Sequence, residues 1–162
     1  MSNQTKITFN LTGLDKLTKG ISNEYRARVG ILGDNAQRTE GGPLNNAELG
    51  VIQMFGSLTK NIPPRDFLFM PVQTHDREIV RAMSGSAVKA AMVAGDFKKV
   101  YALLGAKALE FVLMGFETAG FGQWAPNKPA TIAAKGSDQP LIDTGQLRRA
   151  QTSDVVKKSD IP

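Results

Sequence analysis

Few side chains in this chain have the type and spacing to do chemistry. It holds one histidine, His75, and no cysteine. Disulfides and thiolate metal sites are thereby excluded, as are zinc or copper sites built from several imidazoles. A Ser-His-Asp triad would need His75 as its base. That residue sits beside Asp76 and Arg77 at the start of a helical pattern, and no serine stands in a nucleophile-elbow sequence. The simplest reading of His75 is a surface or first-turn histidine. Gly30-Ile31-Leu32-Gly33 follows a strand pattern but lacks the third glycine and the helix start that cradle a pyrophosphate. No GxxxxGK phosphate loop occurs, and HExxH is impossible with a single histidine.

The carboxylates are equally plain. Asp34 and Glu40 share one polar loop, and Asp138 and Asp143 share another; acids this close in sequence are usually solvated. Asp76 and Glu78 complement the dipole at a helix start. The expectation is a protein without catalytic residues, cofactor or metal: not an enzyme.

Lys and Arg number 20 against 15 Asp and Glu, a net charge of +5. A modest basic excess favours an acidic partner or nucleic acid, although a solvated surface explains it as well. With 41% hydrophobic and 22% charged residues over 162 positions, the chain reads as one globular domain. The start, MSNQTKITFN, has no charged segment leading an apolar block, so no signal peptide is expected. The most apolar run, Val100 to Phe116, contains Lys107 and Glu110 and falls short of the ~20 residues a membrane span needs. A soluble protein is expected.

The elements that would carry these residues follow from periodicity. Ile7 to Leu11 alternates apolar and polar residues as a half-buried strand does, and Leu14, Leu17 and Ile21 lie on one face of a short helix. Tyr25 to Leu32 alternates again and predicts a second strand. Asn45 or Asn46 caps a short helix over about Ala47 to Phe55, stopped by Gly56. Two long helical patterns come next. The first runs from Phe67 or Pro71 to Ala94, with Ile79, Met83, Ala87, Ala90 and Ala94 inward; the second runs from Phe97 to about Thr118, capped by Asp96. Their short link makes them an antiparallel pair. Pro140 to Leu147 leads to a short helix capped by Asp143 or Thr144, and Gln151 to Val156 is a final strand. Ala36 to Pro43, Ser57 to Arg65 and Ala119 to Gln139 read as loops rich in glycine, proline and polar residues. The whole predicts an α+β fold, a small antiparallel β-sheet packed against a long antiparallel helical hairpin, with long loops. Residues 1–156 would form the domain and 157–162 a C-terminal tail.

Two stretches carry a family resemblance. One is Asn46 to Ser57, ending Gln53-Met54-Phe55-Gly56-Ser57, followed by Ile62-Pro63-Pro64-Arg65-Asp66-Phe67-Leu68. The other is Gly122-Gln123-Trp124-Ala125-Pro126, then Thr131, Lys135 and Pro140-Leu141-Ile142-Asp143-Thr144-Gly145-Gln146-Leu147-Arg148-Arg149-Ala150. Together they resemble the tail-component and virion morphogenesis proteins of tailed bacteriophages. In those, a His-Glu-Phe-Gly-Thr sequence precedes Ile-Pro-x-Arg-x-Phe-Leu and a long helix, and a Trp-x-Pro…Thr…Lys…Leu-Ile-Asp-Thr-Gly-x-Leu pattern leads to a last strand. Gln53 and Met54 depart from the usual His-Glu, and Ser57 from Thr. The blocks and the helices between them span residues 25 to 156.

The resemblance implies a structural virion protein at the head–tail junction, a neck or tail-completion subunit that joins tail to head. It implies a homo-oligomer, a hexameric ring, contacting connector or head-completion proteins and tail-terminator or tail-tube proteins. The host cytoplasm would be its place of assembly.

Long loops are usually functional or ordered by a partner. Arg38 and Glu40 in the first loop, Leu58, Lys60, Ile62 and Arg65 in the second, and Phe121, Trp124, Lys128, Ile132 and Lys135 in the third are expected at oligomer or partner interfaces. Trp124 either anchors its loop in its own core or inserts into a partner. Arg65 either ties its loop to a carboxylate or to helix-end carbonyls, or stays solvated. Gly56 and Gly145 are expected at positive φ. Lys98 and Lys99, Arg148 and Arg149, and Lys157 and Lys158 are candidates to face genomic DNA through sequence-blind phosphate contacts. The rival readings are a nucleic-acid-binding module acting off the virion and a small hydrolase using the long loops as a lid.

Overall fold

The computed structural model describes residues 24–38 and 42–161. The predicted strand at Ile7 to Leu11, the helix at Leu14 to Ile21 and the interface candidate Glu40 lie outside the described residues.

The fold mixes helix and strand. Strand β1 (Tyr25–Ile31) pairs antiparallel with β2 (Gln151–Lys157), from Tyr25 opposite Lys157 to Ile31 opposite Gln151. The alternation of Tyr25, Ala27, Val29 and Ile31 is what a two-layer arrangement needs, with one face of the ribbon turned to a helix. Between the strands come α1 (Asn46–Phe55), α2 (Phe69–Thr74), α3 (Asp76–Ala82), α4 (Ser86–Val93), α5 (Phe97–Glu117), α6 (Pro129–Lys135) and α7 (Gln146–Arg149).

Helix α5 is the axis of the protein and lies across both strands. Gly105 permits this close approach: a β-carbon there would stand 3.2 Å from Cβ of Ala27 and 3.6 Å from Cβ of Ser153. Its start is capped as the sequence predicts, Oδ1 of Asp96 accepting from the Lys99 N–H at 3.0 Å. Helix α1 begins with a full capping box, in which Asn45 accepts from Glu48 N–H and Glu48 accepts from Asn45 N–H, both at 2.9 Å. Gly56 ends it at φ 75°, where a β-carbon would come within 2.7 Å of the Ile62 carbonyl oxygen.

The first arm of the expected hairpin is not one helix. It breaks at His75 and again at Met83 to Gly85, giving three short helices packed in turn on α5. Ser84-Gly85-Ser86 is poor helix material, and the break resets the helical phase. The buried residues of α4 are therefore Val88 and Ala91, while Met83, Ala87, Ala90 and Ala94, expected inward, are exposed. Of the two places expected for His75, the surface and a first turn, it takes the second, at the N-terminal cap of α3. It is half-buried at the α2–α3 junction, stacked 4.2 Å from the Phe111 ring, 4.6 Å from the Phe121 ring and 2.9 Å through Nδ1 from the Pro71 carbonyl oxygen.

The main core joins Phe67, Val112, Phe116, Trp124 and Leu147. Phe116 lies between Phe67, at 5.3 Å, and Trp124, edge-on at 5.8 Å. Such tilted and edge-on pairs suit the ring quadrupoles. A smaller cluster of Val88, Ala91 and Val100 pins α4 to α5.

Two boundaries move. Residues 129–135, predicted as loop, form a helix that starts on Pro129 and ends at Gly136 with φ 68°. Lys157, assigned to a tail, belongs to β2, and the Lys158 N–H donates to the Glu24 carbonyl at 2.8 Å. Helix α7 is entered through Gly145 at φ 76°, with no side-chain cap from Asp143 or Thr144.

Candidate functional site

The two sequence blocks meet around Arg65. Its backbone N–H donates to the Gln53 carbonyl at 2.8 Å, fastening the segment to the end of α1. Its side chain, 6% exposed, crosses to the turn after Trp124. Nε donates to the Ala125 carbonyl at 2.9 Å, and Nη2 to the Pro126 carbonyl at 3.2 Å and to Oδ1 of Asn127 at 3.3 Å. Asn127 passes the link on, its Nδ2 donating to the carbonyls of Asp138 and Gln139 at 3.0 and 3.1 Å. Trp124 closes the same join from beneath, with Nε1 donating to the Asp66 carbonyl at 3.2 Å.

Above this join lies an open cleft of about 420 Å³. One wall is the 57–62 hairpin, held by the reciprocal Ser57–Ile62 backbone bonds of 2.9 Å each. The opposite wall is α6, and the floor is the Asp143 to Leu147 turn. Arg38, Lys60, Arg65, Lys128 and Lys135 border it, with Asp143 as the facing carboxylate. Lys128 donates to the Asn61 carbonyl at 3.1 Å, tying the two walls, and Lys135 to the Gln139 carbonyl at 2.7 Å. Among the described residues the ion pairs are Arg28–Asp154, Lys107–Glu110 and Arg148–Glu117, so Arg65, Lys128 and Lys135 all spend their protons on neutral oxygens. Burial lowers the Arg65 pKa from its usual value. Burial also lowers that of Lys135, helped by Arg65 and opposed by Asp143 and Asp138. Arg65 and Lys135 are thus partly desolvated cations near each other, with Asp143 and Asp138 reaching Lys135 only through space, and a further anion beside them would be favoured.

Six of the residues expected at an interface are thus gathered at the cleft: Arg38, Lys60, Ile62, Arg65, Lys128 and Lys135. The others are dispersed. Leu58 projects fully exposed from the hairpin tip, and Phe121 packs on His75. Trp124 and Ile132 border a separate hollow of about 250 Å³. Two of these side chains take the internal alternative that the sequence left open. Trp124, 7% exposed, packs into the core of its own protomer, and Arg65, 6% exposed, bonds the two blocks together while still bordering the cleft. The long loops also carry bonds within the protomer. Gln139 Nε2 donates to the Phe116 and Glu117 carbonyls at 3.0 and 3.1 Å, and Trp124 N–H donates to Ala119 at 3.1 Å. Asn127, unremarked in the sequence, is the hub; its place directly after Trp-Ala-Pro was the available signal.

The six basic candidates for DNA do not form one stripe. Tyr101 near the start of α5 lies 6.5 Å from Tyr25, which pairs with Lys157, so Lys98, Lys99, Lys157 and Lys158 gather at that end. Arg148 pairs with Glu117 at the other end of α5, and Arg149 follows it. At 1.5 Å per residue the two groups stand roughly 28 Å apart along the helix.

Among the described residues no cluster of histidine and carboxylate side chains could hold a metal ion, and no helix is long and apolar enough to cross a membrane. No protein-family model, curated protein or solved structure matches the chain.

Proposed function

We propose that this chain is a structural subunit of a tailed-bacteriophage virion, assembling as a ring at the head–tail junction and acting through contacts alone. The observation that carries the reading is the convergence on Arg65. The Ile-Pro-Pro-Arg-Asp-Phe-Leu block and the Trp-Ala-Pro…Thr…Lys…Asp-Thr-Gly-Gln-Leu block bear the phage resemblance, and here they build one core and one cleft. Segments that share a core are constrained together, as the joint presence of both blocks in one chain requires.

A ring joins one patch of each subunit to a different patch of its neighbour. Helix α1 supplies uncovered apolar surface for such a joint: Val51 and Phe55, one helical turn apart, are 58% and 67% exposed, and Leu58 follows on the hairpin tip. The deciding experiment is the mass of the purified protein in solution, alone and mixed with the tail-tube and connector proteins of its phage. A closed oligomer, or a complex with either partner, is the expected result. A monomer that joins neither would end the proposal.

A further inference from the structure

The cleft has a chemistry more specific than a generic subunit contact. Arg65 is a nine-tenths buried cation whose Nε and Nη2 are taken by neutral oxygens, while among the described residues Nη1 has no acceptor. Arg65 borders the cleft together with Lys135, whose ammonium donates to the Gln139 carbonyl and has Asp143 and Asp138 within electrostatic reach but no carboxylate bonded to it. Two positive groups at short range repel, and each has lost part of its hydration. An anion placed between them would relieve both effects, and its bond to a guanidinium would be charge-assisted.

The walls say which kind of anion. Leu49, Ile62, Pro63 and Leu141 give the cleft apolar sides, and its volume lies in the range of sites that admit a few side chains. A nucleic-acid backbone carries phosphates and sugars with little to place against leucine and proline, and it favours open basic faces. A peptide alternating acidic and aliphatic residues matches both the charge and the walls.

We propose, building on the virion reading above, that this cleft receives an acidic, partly aliphatic peptide segment of a neighbouring virion protein, with one carboxylate seated between Arg65 and Lys135. Lys60 and Lys128, on facing walls, steer the segment in and hold its flanks. The binding is electrostatic in its approach, so it weakens with salt.

The test uses the full chain labelled with nitrogen-15 and titrated with a short peptide alternating glutamate and leucine. Its counterparts are the same peptide with glutamine for glutamate, and a single-stranded oligothymidylate. The glutamate peptide should shift the amide signals of Ile62, Lys128 and Gly145 to saturation, and the glutamine peptide should not. The double variant Lys60→Gln with Lys135→Gln leaves the Arg65 join intact and should weaken binding about tenfold or more. An equal response to both peptides, shifts confined to other regions, or displacement of the peptide by oligothymidylate would overturn the inference. The virion reading is judged separately by mass. A ring-forming chain that ignores the glutamate peptide refutes the cleft's role alone, and a monomer that binds it keeps the cleft chemistry while losing the virion setting.

Discussion

Arg65 donates through Nε to the carbonyl of Ala125, 2.9 Å away in space and sixty positions along the chain. This one side chain holds the hairpin after α1 against the turn after Trp124. Removing it strands three acceptors, the Ala125 and Pro126 carbonyls and Asn127 Oδ1, in a partly buried setting. Arg65→Ala is expected to cost about 2–4 kcal/mol, since each buried acceptor left bare carries a penalty of its own. Arg65→Lys should recover part of the loss, because an ammonium lacks the planar fork. Urea unfolding of the three proteins, read at the midpoint, checks the order.

Trp124 packs edge-on against Phe116 and donates to the Asp66 carbonyl. Trp124→Phe keeps most of the apolar contact and loses the donor, for about 1 kcal/mol. Trp124→Ala also opens a cavity in the core and should cost about 3–5 kcal/mol. The same denaturant measurement separates the two. Equal losses would mean that the indole contributes chiefly through its hydrogen bond.

Arg28 and Asp154 face each other across the two strands with a bidentate pair of 2.9 and 2.6 Å. The hydrogen bond from Arg28, with its charge, holds the Asp154 carboxyl below its ordinary range. A carboxyl with a lowered folded pKa stabilises the protein fully above its unfolded pKa, and the contribution fades as pH falls through the folded value. Wild-type stability should therefore drop more steeply than that of Asp154→Asn between about pH 5 and pH 2. Both side chains are about two-fifths exposed, so the difference will be small and will shrink with salt. Parallel acid profiles for the two proteins would show that the pair contributes nothing.

Val51 and Phe55 present an apolar strip on α1 that no described residue covers. Replacing both with Lys should change the unfolding free energy of the isolated protomer by no more than about 1 kcal/mol, because exposed sites contribute little to folding and a cation suits the last turn of a helix. In the proposed ring the same change would bury charge at a joint and abolish assembly. Mass measurement beside circular dichroism tests both halves. A double variant that still assembles would move the joint to another face.

Local structure was legible where it depended on neighbours in sequence. The Asn45 and Asp96 caps, the Gly56 stop, both described strands and the length of α5 follow from residues within a few positions of each other. The breaks in the first long helical pattern were less legible. Stacking between Phe111 and Phe121 fixes His75 at the first break, and both rings lie far along the chain. The inner stripe drawn through Met83, Ala87, Ala90 and Ala94 failed because it carried one helical phase across a chain that ends a helix at Ala82 and restarts at Ser86.

By itself the sequence determined the class of protein: mixed helix and strand, without thiol or multi-histidine chemistry, and with motif words grouped in two blocks. It also named six of the residues that border the cleft. That these six converge, while Trp124 turns into the core, was decided by tertiary structure. The physical reason is range. Caps and turns are settled by bonds a few residues long, whereas the cleft exists only because Phe67, Phe116, Trp124 and Leu147 exclude water together and bring Arg65 to Asn127.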